Sequence, residues 1–193
     1  MSCIVEANKH RQDAKHICPT CKQAFVGALQ MAVAEAQMHT TRLDRNFDPA
    51  AVSCLASALK EKGSYQEALE LFQKVLKFEQ RQLGPDHPQV AMTLGNISNV
   101  YQQQGKFPEA LGTLEKVLAI FEKVHGHNHL DVAATYGNMG LVYASMGDFP
   151  KALEYHNHDL EIKLQVFGPE HPLVASTKNK YAFLFCFLAS THC

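Results

Sequence analysis

The cysteines and histidines are the residues of this sequence whose types and spacing come closest to a chemical site. Cys18 and Cys21 are two residues apart, which lets two thiolates bind one tetrahedral zinc ion, and His10, His16 and Cys3 lie upstream. A complete site needs four ligands, and this pair alone has the required spacing. A redox role would need a strand and a helix around the pair, and neither pattern is present. We interpret Cys18 and Cys21 as unpaired thiols, with zinc as the weaker alternative.

A second group of histidines lies in the middle of the chain. His125, His127 and His129 share one segment, and His156 and His158 share a later helical pattern. Residues two apart on a helix point to different sides, so His156 and His158 do not converge on one ion. The segment that contains His125, His127 and His129 lies near the end of a hairpin, away from the middle of the helix that contains His156 and His158. The sequence therefore predicts no histidine metal site, and it predicts no cofactor.

Motifs of catalysis are also missing from the sequence. It contains no GxSxG, Walker-type, HExxH or paired-carboxylate constellation, so we expect a protein that is not an enzyme. The 18 basic and 19 acidic residues are interspersed and sum to a net charge of -1, which favours neither nucleic acid nor an anionic membrane as a partner. The six irregularly spaced cysteines, with no signal peptide before them, favour a reducing, cytoplasmic location.

The strongest regularity is a repeat of 42 residues. Four columns of residues recur at this interval: Gly63, Gly105 and Gly147; Gly84, Gly126 and Gly168; Tyr65, Phe107 and Phe149; and Ala68, Ala110 and Ala152. Glycine is typical of the position just after a helix, so each period is predicted to contain two helices. The expected fold is an all-α solenoid of stacked hairpins, whose extended concave surface usually binds other proteins.

Each predicted hairpin has one apolar face on each helix. The faces of the first helices are Val52, Leu55, Ala56 and Leu59; Leu94, Ile97, Ser98 and Tyr101; and Tyr136, Met139, Gly140 and Tyr143. The faces of two second helices are Ala68, Leu69, Phe72, Val75 and Leu76; and Ala110, Leu111, Leu114, Val117 and Leu118. The small members Ala56, Ser98 and Gly140 are expected where neighbouring helices approach most closely.

These residues resemble the tetratricopeptide repeat, in its long 42-residue form found in kinesin light chains. The family pattern of a bulky residue, leucine, glycine or alanine, tyrosine and alanine is matched by Leu94, Ile97, Ser98, Tyr101 and Ala110, and by Tyr136, Met139, Gly140, Tyr143 and Ala152. The resemblance runs from about Asp48 to His171. His156 and Asp159 depart from it, because they stand where the family has apolar residues.

The expected organisation follows from this register. Residues 1–43 are predicted to hold the Cys/His segment and a degenerate capping helix. Three repeat units are predicted at residues 44–84, 85–126 and 127–168, and a partial fourth unit, with its first helix alone, at residues 169–193.

A ligand is expected on the residues of the first helices that do not face the apolar seam. These are Ser53, Cys54 and Ser57; Met92, Gly95, Asn96 and Asn99; Ala134, Gly137, Asn138 and Leu141; and, further along, Gln102, Gln103 and Ser145. Asparagine can both donate to and accept from a peptide backbone, and glycine lets that backbone approach. The resemblance implies this backbone-binding role for Asn96 and Asn138. The alternative is that the asparagines are ordinary polar surface.

The charges near this face predict the kind of ligand. Paired Lys and Arg on successive first helices are missing, since Lys60 and Lys180 are isolated, so a site that grips an acidic chain end is not expected. Specificity is predicted from apolar pockets around Met92, Leu141 and Tyr136. The predicted function is a non-catalytic scaffold that binds a protein or peptide, an adaptor similar to kinesin light chains. The alternative is a structural or self-assembly segment of a larger signalling protein.

The carboxyl end carries a different signal. Phe183 and Phe187 project together on a helix, and Phe185 points away from them, so both sides of this helix are apolar. We expect self-association through this C-terminal helix.

Overall fold

The structure, a computed structural model, describes residues 47–191, and it describes side chains up to residue 182 except at position 180. The predictions about Cys18, Cys21 and the capping helix, and those about Lys180 and the aromatic side chains after residue 182, lie outside the described residues. Within the described range the secondary structure is helical throughout. The helices are α1 (Pro49–Glu61), α2 (Tyr65–Leu83), α3 (Pro88–Gln103), α4 (Phe107–His125), α5 (Leu130–Met146), α6 (Phe149–Phe167) and α7 (Pro172–Thr191).

The chain divides into two compact units, residues 1–75 and residues 76–193. The described part of the first unit contains α1 and the beginning of α2. Its buried side chains are Val52, Leu55, Ala56 and Leu59 from α1, and Ala68, Leu69, Leu71, Phe72 and Val75 from α2. The predicted faces of these two helices are therefore confirmed, with Leu71 as an addition.

The second unit contains two complete hairpins, α3 with α4 and α5 with α6, followed by α7. One of its core clusters combines Val90 and Ala91 of α3 with Val117, Ile120 and Phe121 of α4, Val132 and Ala133 of α5, and Ile162 of α6. A second cluster joins Ala110 and Leu114 to Met139 and Val142. Each hairpin thus shares its core with the next one, as expected for a repeat protein.

The columns of glycine end the helices as predicted. All six glycines of the two columns have positive φ, between 73° and 90°, a region that favours glycine. At the ends of α1, α3 and α5 the residue after the glycine donates its N–H to a carbonyl five residues back, as Asp148 does to Tyr143 at 2.9 Å. This bond satisfies a carbonyl that would otherwise lack a partner at the helix end.

A histidine caps the first helix at each of the three junctions between hairpins in the described residues. Nδ1 of His87, His129 and His171 accepts the backbone N–H two residues later, at 3.1, 3.2 and 3.2 Å. The role of these histidines as caps could not be predicted from residue type, because Ser, Thr, Asp and Asn are the usual residues there.

The third hairpin has two buried polar residues at positions where the other hairpins have the apolar residues Phe72 and Val75, and Leu114 and Val117. His156 and Asp159 of α6 are buried, at 1% and 3% exposure. Lys163 Nζ lies 2.8 Å from both carboxylate oxygens of Asp159 and 3.0 Å from Thr177 Oγ1 on α7. Burial of the Asp159 carboxylate is unfavourable by itself. The ion pair with Lys163 and the contact with the Thr177 hydroxyl offset this cost.

None of the described helices between residues 47 and 191 has the length and apolar character that a bilayer crossing requires.

Candidate peptide-binding face

The exposed residues of the first helices form regular stripes. On α3 the stripe consists of Met92, Asn96, Asn99 and Gln103, and on α5 it consists of the residues 42 positions later, Ala134, Asn138, Leu141 and Ser145. Spacings of four, three and four residues put each set on one side of its helix. Every member is exposed or half-buried. We call these two stripes the first-helix face.

A hydrogen bond joins the two helices at this face. Gln102 of α3 donates from Nε2 to Ser145 Oγ of α5 at 3.1 Å, and the Ser145 hydroxyl donates to the Leu141 carbonyl at 2.8 Å. The two stripes therefore belong to neighbouring helices, and a ligand on one can reach the other.

Asn96 and Asn138 occupy equivalent positions on the two stripes. Asn96 is exposed and Asn138 is half-buried. Among the described residues, neither side chain has a hydrogen-bond partner. Their amide groups are therefore available to a ligand and are not used to brace the hairpins.

The two glycines predicted for this site differ from each other. A Cβ built on Gly95 would meet nothing within 4 Å, so the backbone of α3 is open to close approach there. A Cβ on Gly137 would lie 3.2 Å from Asp159 Oδ2. Gly137 thus makes room for the buried carboxylate of Asp159 on α6. The space beside it is not open to a ligand.

The apolar residues predicted to form pockets also divide into two groups. Met92 and Leu141 are large hydrophobic side chains with 56% and 39% exposure. Tyr136 instead packs against the core clusters, and its hydroxyl donates to Glu122 Oε1 at 3.4 Å. Burial raises the pKa of the Tyr136 hydroxyl above its ordinary value, and the adjacent Glu122 carboxylate adds to the shift. Tyr136 therefore does not belong to the first-helix face.

The first-helix face is almost free of charge. Helix α3 contains no charged residue, and α5 contains one, Asp131, in its first turn. A face of this kind offers amide hydrogen bonds and apolar contact rather than ion pairs. It suits a neutral segment of chain better than an acidic or basic one.

In the first unit, α1 carries the matching positions Ser53, Cys54 and Ser57. Cys54, which is equivalent to Asn96, is an exposed free thiol, and the two serines are half-buried. Lys60 on the same helix lies 3.1 Å from Glu61. Helix α1 therefore lacks the asparagine that α3 and α5 share.

Comparison with solved structures identifies similar helical repeats. BtubC (BKLC) from P. vanneervenii is 22% identical with a TM-score of 0.65 over 81% of this chain, and this chain spans 63% of BtubC. The TPR-like repeats of a Podosopora anserina protein described as a candidate kinesin light chain are 25% identical, with a TM-score of 0.66, over 84% of this chain and 77% of that one. The N-terminal domain of stress-induced protein-1 (STI-1) from C. elegans is 18% identical, with a TM-score of 0.51, over 70% of this chain and 93% of that one. These similarities show an α-solenoid fold.

Comparison with protein families gives a direct match. No curated protein matches the sequence. The Tetratricopeptide repeat family matches residues 48–123, 90–165 and 131–190, which overlap to cover most of the chain. Repeats of this family are generally non-catalytic scaffolds that bind protein partners. The chain belongs to the tetratricopeptide repeat family.

Proposed function

We propose that this protein is a non-catalytic cytoplasmic scaffold that binds a partner peptide on the first-helix face, as an adaptor similar to kinesin light chains. The observation that carries the proposal is the pair of asparagines, Asn96 and Asn138, placed at equivalent positions of two helices that Gln102 and Ser145 join by a hydrogen bond. Two amide groups on neighbouring helices can hold successive parts of one peptide backbone.

Contacts around the asparagines supply the rest of the site. Met92 and Leu141 offer exposed apolar surface, and Asn99 adds a third amide on α3. Gly95 lets a backbone approach α3 closely. Since α3 is uncharged, hydrogen bonds set the register of the peptide and apolar side chains supply specificity.

The adaptor role rests on similarity. The candidate kinesin light chain from Podosopora anserina shares both the repeat and the fold with this chain at 25% identity. A motor protein among the recovered partners would support this finer assignment.

Photo-crosslinking tests where the partner binds. A photoreactive amino acid at position 92 or 141 is expected to capture a partner from cell extract, because both positions lie on the first-helix face. The same amino acid at Val124 of α4, which is 45% exposed, serves as the matched control. Equal capture at position 124 and at the two face positions would contradict the proposal. So would a captured partner that binds Asn96→Ala/Asn138→Ala protein as well as the parent.

A further inference from the structure

The junction between α4 and α5 differs chemically from the other junctions of the chain. At the cap position all three junctions have histidine: His87, His129 and His171. Two of the positions that differ between the junctions lie beside this cap. Where the middle junction has His125 and Asp131, the one before it has Leu83 and Gln89, and the one after it has Phe167 and Leu173. Two potential metal ligands thus join the cap histidine at this junction alone among the three.

The three side chains of the middle junction converge. His125 Nε2 lies 3.6 Å from Asp131 Oδ2, and His129 Nδ1 lies 3.3 Å from the same oxygen. One ligand atom from each residue falls within 4.8 Å of the other two. The prediction of no histidine metal site rested on the histidines alone and did not include Asp131, which lies in the first turn of α5.

These separations suit a small divalent ion. Zinc binds imidazole nitrogen and carboxylate oxygen at about 2.0–2.2 Å, so tetrahedral ligands lie about 3.4 Å from one another. Two separations already match that value, and rotation of the exposed His125 side chain shortens the third. Two imidazoles and a carboxylate are a donor set that zinc accepts, with water in the fourth position.

We propose that His125, His129 and Asp131 bind one Zn²⁺ ion that clamps the end of α4 to the beginning of α5. The site is accessible, since the Asp131 side chain is 47% exposed. The His125 and His129 rings stack, with centroids 4.2 Å apart. Binding opens this stack and exchanges the cap hydrogen bond of His129 for a metal bond. The cost is modest, because a helix cap contributes little beside a metal–nitrogen bond.

The next junction supplies a substitution that isolates the metal. There Phe167 stacks on His171, with centroids 4.1 Å apart, in the place that His125 and His129 occupy here. His125→Phe therefore keeps an aromatic ring on the cap histidine and removes a ligand. Asp131→Asn keeps the shape of the third ligand and removes its charge. His171→Gln and His127→Ala are matched controls, since the first alters a cap without neighbouring ligands and the second alters a histidine of the same loop outside the triad.

The test is zinc titration of the untagged full chain by calorimetry, in a Cys18→Ser/Cys21→Ser background that removes the one pair of cysteines with zinc-binding spacing. The expected result is one bound ion and a higher melting temperature in zinc. His125→Phe and Asp131→Asn should each weaken zinc binding about ten-fold or more, whereas both controls bind as the background does. Circular dichroism checks that the variants fold, and Asp131→Asn alone decides the question should His125→Phe fail to fold. No stoichiometric zinc binding by the background protein, or equal binding by Asp131→Asn, would overturn the proposal.

Discussion

The imidazole ring of His156 packs directly on Gly140. A Cβ built on Gly140 would lie 3.0 Å from His156 Nε2 and 3.1 Å from two ring carbons. The contact brings α5 and α6 together at a position where the preceding hairpin has Ser98 and Leu114. A bulky ring on one helix is thus matched by the loss of a side chain on the other.

Substitution of this glycine tests the register of the hairpin. Gly140→Leu should lower the free energy of unfolding by about 1–3 kcal/mol, because the new side chain cannot fit beside the ring. Urea denaturation measures the loss. The double variant Gly140→Ser/His156→Leu, which copies the residues of the preceding hairpin, should recover stability relative to Gly140→Ser alone. An unchanged unfolding curve for Gly140→Leu would place the close contact elsewhere.

Removal of the buried carboxylate tests the polar core. Asp159→Ala leaves the Lys163 ammonium, whose side chain is 18% exposed, without its ion-pair partner. The expected loss is about 3 kcal/mol in the free energy of unfolding, since an unpaired buried charge is costly. Thermal and urea denaturation measure it.

A double variant is the control for that experiment. Asp159→Val/Lys163→Phe places on α6 the residues that α4 has at the equivalent positions, Val117 and Phe121. We expect it to be more stable than Asp159→Ala. A double variant that is less stable than Asp159→Ala would mean that apolar residues cannot replace the ion pair at these positions.

Alkaline pH should weaken the fold through Tyr136. Burial, with Glu122 nearby, holds the pKa of this hydroxyl above its ordinary value of 10.0, so the folded state keeps the proton where the unfolded state loses it. The stability from this group is complete below about pH 10 and is lost as the pH rises through the folded pKa. Tyr136→Phe should therefore flatten the fall in stability above about pH 10. Tyr65→Phe is the control for loss of a hydroxyl, and an equal effect from it would contradict the assignment.

The fold could be predicted from the sequence because the glycine columns and the apolar faces occur in every copy of the repeat. A glycine column needs positive φ at every copy, and the apolar faces recur with the same spacing, so each copy supports the others. The positions that were not predicted correctly are those where one copy of the repeat differs from the others. Gly137 was assigned to the ligand together with its equivalent Gly95, whereas Asp159 fills the space beside Gly137. Tyr136 was assigned to an apolar pocket, but its hydroxyl bonds to Glu122 on another helix, and periodicity along one helix does not reveal such a partner.

The central claim is that Asn96 and Asn138 hold the backbone of a bound peptide. It is tested most directly by titrating the full chain with a peptide taken from a crosslinked partner, using fluorescence anisotropy. Asn96→Ala/Asn138→Ala should weaken binding by about 1–3 kcal/mol, because hydrogen bonds to the peptide are lost, without any change in helicity. Asn157→Ala on α6, an exposed asparagine that bonds to Glu161 at 2.7 Å, should bind as the parent does. Equal affinity of the parent and the Asn96→Ala/Asn138→Ala variant for that peptide would contradict the claim.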